Sequence, residues 1–191
     1  MTARLDGKRI AFVVANEGIE QVELTEPWAA VEAAGGRPEL IAPRSGTAQA
    51  FNHLDKADRF TVDRTTADAD VADYAGIVLP GGVANPDQLR MDRSAVELVR
   101  ACCNAGTPVA AICHGPWTLV EADVVRGRTL TSWPSVRTDL RNAGADWVDR
   151  PVQVCTNGPS PIVTSRKPDD LDAFCATLVD IFADSVVASR R

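Results

Sequence analysis

A cysteine and a histidine stand at the end of the apolar run Pro108-Val109-Ala110-Ala111-Ile112-Cys113-His114-Gly115-Pro116, and their position gives the thiol a chemical use. The run reads as a buried strand that turns at once into a helix, so the sulfur projects from the carboxyl edge of a sheet. There the unpaired N–H groups of a helix start supply roughly half a positive charge. Thiolate, the nucleophilic form, is favoured in that field. A thiol moved from its model value near 8.5 to about 5.5 would gain about 4 kcal/mol of differential stabilisation. A free cysteine is commonly just a buried apolar residue. The strand, the abrupt helix start and Gly115-Pro116 favour the reactive reading.

Two further segments are expected at the same edge. Leu79-Pro80-Gly81-Gly82-Val83 follows the apolar Ile77-Val78, and its glycines let backbone approach a substrate closely. The N–H groups of Gly82 and His114 together could hold a developing oxyanion. Asn16-Glu17-Gly18-Ile19-Glu20-Gln21-Val22-Glu23 follows the first strand, and its acids suit a helix start. One of these carboxyls facing Cys113 would be kept protonated by burial and could donate a hydrogen bond to the sulfur. The chain has only two histidines, His53 and His114, so a Cys–His mechanism has little choice of base. His114 reaches the thiol only if the loop bends it back, and His53 reads as a loop residue.

The elements that must position these groups follow from periodicity. Short β-branched apolar runs alternate with longer amphipathic stretches, the pattern of βαβ units around a parallel sheet buried on both faces. Ile10 to Ala15 reads as the first strand and Glu39 to Ala42 as the second. Leu24, Trp28 and Val31 recur at helical spacing between them. Val96, Val99 and Cys103 share the face of a helix that Gly106 stops before Pro108. Leu171, Phe174, Leu178 and Ile181 stripe a last helix, with Asp169 and Asp170 in its first turn. The polar stretch from Arg44 to Asp73 reads as a hairpin and loop. A single domain over residues 1–191 is expected.

A net charge of -6, with acids outnumbering scattered basic residues, disfavours a nucleic-acid partner. Five cysteines, Cys102, Cys103, Cys113, Cys155 and Cys175, lack C-x-x-C spacing, so neither a disulfide framework nor a metal site is expected. No phosphate-cradling glycine motif is present and no cofactor is expected. The N-terminal Met1 to Arg9 precedes an apolar run too short for a signal peptide or membrane span. A reducing cytoplasm is the expected location, with no membrane partner.

Taken together, these residues resemble the ThiJ/PfpI family, also called the DJ-one superfamily. Ala15-Asn16-Glu17-Gly18-Ile19-Glu20-Gln21-Val22-Glu23-Leu24, Leu79-Pro80-Gly81-Gly82 and Ala111-Ile112-Cys113-His114-Gly115-Pro116 occur in family order. Similarity continues through Gly127-Arg128, Thr131-Ser132-Trp133-Pro134 and Asn142-Ala143-Gly144-Ala145 to Ser165-Arg166-Lys167-Pro168-Asp169-Asp170-Leu171. The resemblance implies a flavodoxin-like, doubly wound parallel sheet with helices on both faces, the class I glutamine-amidotransferase-like architecture. It also implies proximity to the PfpI-like branch of intracellular proteases or amidases connected with stress resistance. Carried over residue by residue, Cys113 is the nucleophile, Glu20 the acid beside it and His114 the adjacent imidazole. In that branch an acid after the Pro-Gly-Gly loop, brought by a neighbouring subunit, completes the arrangement; Asp87 is the matching position, with aspartate in place of the familiar glutamate. Self-association as dimers, or as hexamers of dimers, is implied as well.

Three functions from different classes fit. In the first, Cys113 attacks a small reactive carbonyl or its protein adduct, in glyoxalase-like or deglycase-like chemistry; hydrolysis of peptides or amides is the other enzymatic form. The carbonyl is favoured because peptide hydrolysis needs a well-placed acid for the leaving amine. In the second, the same thiolate is a non-enzymatic sensor oxidised to sulfenic or sulfinic acid. The third is a scaffold whose cysteine has no task, which the cost of a strained, polarised turn argues against.

Overall fold

Apolar runs bounded by Gly, Pro and Asp punctuate the chain and set its strands. The computed structural model describes residues 4–185; residues 1–3 and 186–191 lie outside it, and with them the start of the N-terminal segment read above. The first half runs β1 (Arg9–Val13), β2 (Glu17–Glu20), α1 (Gln21–Ala33), β3 (Arg37–Ala42), β4 (Thr47–Asn52), β5 (Asp55–Thr61), β6 (Arg64–Thr65) and β7 (Gly76–Leu79). Then come α2 (Ala84–Leu89), α3 (Arg93–Ala105), β8 (Val109–Ile112) and α4 (Pro116–Glu121). The last part holds β9 (Thr129–Leu130), α5 (Arg137–Asn142), β10 (Asp146–Trp147), β11 (Val152–Cys155), β12 (Ile162–Ser165) and α6 (Leu171–Ala183).

Seven strands form one sheet in the order β11-β12-β8-β7-β1-β3-β6, parallel throughout except for the antiparallel edge pair β11 and β12. Every residue of β7, β8 and β12 is buried, as expected of strands covered on both faces. One face packs on α3, α4 and α5 through Val99, Leu119 and Leu140; the other packs on α1 and α6 through Leu24, Val31, Phe174 and Phe182. This is the doubly wound, flavodoxin-like sheet expected from the sequence. In α6 the buried stripe runs through Phe182, while Ile181 is only half-buried. Asp169 and Asp170 form a 3-10 turn, Pro168–Asp170, just ahead of α6 rather than its first α-helical turn.

From β1 the chain winds one way through β3 and β6 and the other way through β7, β8 and β12. The carboxyl ends of β1 and β7 therefore diverge, leaving the crevice where open α/β sheets bind ligands. The polar stretch after Arg44 supplies the hairpin β4–β5, which joins β2 in a separate three-stranded sheet beside that crevice. Its tip is the two-residue turn His53-Leu54.

Helix α3, which leads into β8, is closed at both ends by its own sequence. Asp92 accepts from the Ala95 N–H at 2.8 Å and from Thr66 Oγ1 at 2.9 Å, and Gly106 ends the helix in the left-handed region at φ 83°. Asp92→Ala removes the cap and the tie to Thr66. It is expected to cost about 1–2 kcal/mol. In a thermal melt that corresponds to a fall of roughly 3–6 °C for a chain of this size, and an unchanged midpoint would contradict it.

Candidate active site

The turn after β8 places the nucleophile. Cys113 takes φ 61°, a left-handed conformation that non-glycine residues rarely adopt, and the Gly115 N–H closes the turn on the Ile112 carbonyl at 2.8 Å. α4 starts at Pro116, whose missing N–H costs nothing at a first helical position. The bend brings the next side chain back toward the sulfur. His114 Nδ1 lies 3.2 Å from Cys113 Sγ, and its Nε2 lies 3.3 Å from Ser135 Oγ. Trp133 stacks on the imidazole at a centroid distance of 5.9 Å, and Trp117 meets it tilted at 5.1 Å.

The acid beside the sulfur is Glu23, which corrects the expectation of Glu20. Because Glu17–Glu20 forms a strand and the helix begins at Gln21, Glu23 occupies the first turn of α1 on the same face as Pro27 and Val31, pointing into the core. Glu20 stays on the cavity wall, where its carboxylate accepts the His53 N–H at 3.1 Å and stands 3.8 Å from that ring. Glu23 Oε2 accepts the Gly81 N–H at 3.0 Å, and the carboxyl also interacts directly with the Cys113 thiol. Oε1 is buried and has no hydrogen-bond partner among the described residues. The sequence holds a signal for this: Glu23 is an acid at helical spacing with Pro27 and Val31, on an otherwise apolar face.

Two glycines make this approach possible. A methyl group on Gly81 would overlap Glu23 Oε2 and fall 2.6 Å from Cys113 Cβ. Gly82, at φ 82°, lies so close to the Gly18 carbonyl that a side chain there would overlap it. The β1 loop, the Pro80-Gly81-Gly82 loop and the cysteine turn are thus in mutual contact.

Burial pushes the Glu23 carboxyl up to about 8; the charge of Glu20 adds to this, while the thiol and the Gly81 and Gly82 N–H groups oppose it. At neutral pH Glu23 is protonated. The Cys113 thiol is also pushed up, first by burial and then by Glu23, while the N–H groups of Gly82 and His114 pull it down. This corrects the expectation of a simply lowered thiol: the helix start is outweighed by burial of the sulfur and then by the enclosed acid next to it. The upward effect of Glu23 belongs to its ionised form; protonated, it is a donor that stabilises thiolate. Cys113 and Glu23 therefore behave as one pair that gives up a first proton near the Glu23 value and holds the second much longer. Of the two groups Cys113, at 7% exposed, is the one that faces the cavity, whereas Glu23 is 0% exposed. Burial also lowers the His114 imidazole, so the ring is neutral.

All of this opens on a cavity of about 460 Å3, lined among others by Cys113, His114, Gly82, Glu20, Phe51 and Trp133. His53, read as a loop residue, lies at the hairpin tip and lines the cavity mouth. Asp87, expected to act from a neighbouring subunit, is exposed on α2, and within the chain His114 Nε2 faces Ser135. Ser135 was not singled out from sequence; its only signal is adjacency to the family segment ending at Pro134. All five cysteines are free thiols. Among the described residues no group of three or more His, Cys, Asp or Glu is placed to hold a metal ion, and no helix is long and apolar enough to cross a membrane.

General stress protein 18 of Bacillus subtilis is 40% identical over 168 residues, covering 88% of this chain and 94% of its own length. "Putative cysteine protease YraA" of the same organism is 39% identical over 167 residues, covering 87% and 94%. Among solved structures, a two-domain protein from Anabaena variabilis with DJ-1/ThiJ/PfpI-like and ferritin-like domains superposes with a TM-score of 0.82 at 29% identity. That match covers 91% of this chain and 49% of the Anabaena protein, so the chain spans about half of that molecule. The pattern of the DJ-1/PfpI family itself runs from residue 8 to residue 181, and by that span the chain belongs to the DJ-1/PfpI family.

Proposed function

We propose that the chain is an enzyme of stress defence in which Cys113 attacks small reactive carbonyls or the adducts they leave on proteins, in glyoxalase-like or deglycase-like chemistry. The observation that carries this reading is the convergence of the Cys113 sulfur, His114 Nδ1 and the buried Glu23 carboxyl on one cavity of about 460 Å3. A space of that size suits a small molecule or a single modified side chain. With methylglyoxal the thiolate adds to the aldehyde carbon: a C–S bond forms, the C=O π bond breaks, and the oxygen takes the Glu23 proton. His114 Nδ1 then moves the proton from that carbon to the neighbouring one, while the proton on the first oxygen returns to Glu23 and passes to the ketone oxygen. The aldehyde carbon is thereby oxidised and the ketone carbon reduced within one molecule, giving a thioester of a 2-hydroxy acid. Water releases lactate and restores the thiol. The N–H groups of Gly82 and His114, which act on the sulfur, support this reading as donors that could hold the oxyanion.

The name of the YraA relative supports a second reading, hydrolysis of peptide or amide bonds by the same sulfur. The stress-protein name supports the setting, and five free cysteines suit a reducing cytoplasm. Self-association as dimers or hexamers belongs to the same proposal. The test is to incubate the full chain with methylglyoxal and follow lactate by NMR, alongside a panel of amide substrates. Lactate formation supports the carbonyl reading. Turnover of amides alone transfers the proposal to the hydrolase, and turnover of neither overturns both.

A further inference from the structure

We propose that Ser135 is the positioning residue of His114, orienting the Cys113–His114 pair through its hydroxyl. The inference rests on the proposed function only in using the same imidazole; its test reads the ring itself. Both ring nitrogens are engaged, Nδ1 by the Cys113 sulfur at 3.2 Å and Nε2 by Ser135 Oγ at 3.3 Å, with Trp117 and Trp133 fixing the ring plane. The segment that carries Ser135 is tied to the nucleophile's own backbone. The Trp133 N–H donates to the Cys113 carbonyl at 2.9 Å, and the Val136 N–H closes a 3-10 turn on the Trp133 carbonyl at 3.0 Å. The Thr131 N–H donates to Thr164 Oγ1 at 2.9 Å in β12, beside β8. Ser135 is thus held over the cysteine turn by bonds that do not involve its side chain.

A hydroxyl and a carboxylate instruct an imidazole differently. A carboxylate only accepts, so it locks the proton on Nε2 and stabilises imidazolium. A serine both donates and accepts, so it serves either tautomer and adds no charge. Nδ1 can then take the thiol proton and return it during carbonyl chemistry without the ring becoming a permanent cation. Among the described residues no acid acts on His114, and burial lowers its titration.

The experiment follows the imidazole nitrogens of uniformly 15N-labelled full-length protein against pH. His53, the only other histidine, is assigned by a His53→Gln variant. In the native assembly His114 is expected to titrate below 6.5, the value for a free ring. Ser135→Ala should shift the tautomer balance and lower methylglyoxal turnover about tenfold, the equivalent of one lost hydrogen bond. Ser135→Thr should restore both. Ser135→Asp should raise the titration by about a unit or more. Wild-type titration above 6.5 would overturn the proposal in favour of a second copy's carboxylate, and an unchanged tautomer balance in Ser135→Ala would overturn it too. Absence of any methylglyoxal turnover would sink the proposed substrate, while the ring titration still decides the role of Ser135.

Discussion

Glu23→Gln is expected to stabilise the protein at pH 7.5 by up to about 4 kcal/mol while lowering turnover about a hundredfold. Glu23 is fully buried and its carboxyl is pushed from 4.5 up to about 8. The folded chain therefore keeps this proton over a range in which the unfolded chain has lost it. The stability tied to the protonated form is complete below pH 4.5 and shrinks by about 1.4 kcal/mol per unit as the pH climbs toward 8. At pH 7.5 nearly three units of that range have been crossed, and an isosteric amide has no proton to lose. Glutamine can still accept the Gly81 N–H and point an N–H at the sulfur, so the packing is kept. It cannot pass a proton to the substrate oxygen, and general acid catalysis of that kind contributes about a hundredfold or more. Urea titrations at pH 4 and pH 7.5 check the linkage: the variant should match wild type at the lower pH and exceed it at the higher. Equal stability at both would mean that Glu23 ionises in the fold without cost.

Cys113→Ala is expected to abolish methylglyoxal turnover, by at least about a thousandfold, and to remove the one fast-alkylating thiol. Burial raises Cys102, Cys103, Cys113 and Cys175 alike, and what sets Cys113 apart is its place on the cavity wall and the Gly82 and His114 N–H groups that pull its thiol down. Peptide mapping after brief iodoacetamide treatment at pH 8 should find the label on Cys113 first. Its rate should rise through an apparent value near 8 that belongs to the Cys113–Glu23 pair. In Glu23→Gln that inflection should move. Label spread evenly over the five cysteines, or found first on Cys175, would show that the site confers no reactivity.

Much of this site is legible in the sequence because it depends on local rules. A β-branched run stopped by a cysteine and followed by Gly115-Pro116 can do little other than turn from strand to helix, and paired glycines after Leu79 mark a close backbone approach. The choice between Glu20 and Glu23 was a different kind of question. Both fall in one short acidic string, and a helix beginning one residue later or earlier exchanges which of them faces inward. Ser135 was harder still, since it is 21 positions from His114 and meets it only because the segment after β9 is hydrogen-bonded to the cysteine turn.

By itself the sequence determined the alternation of strands and helices, the turn that exposes Cys113, the scarcity of histidines and the glycine loop beside them. Those features arise from hydrophobic periodicity and backbone sterics, which act over a few residues at a time. Only the tertiary structure decided which acid meets the sulfur, where the imidazole's second nitrogen goes and which way the thiol titrates. These depend on burial and on distances between segments remote in the chain, where enclosing one carboxyl shifts its proton by more than a helix start can shift the thiol's.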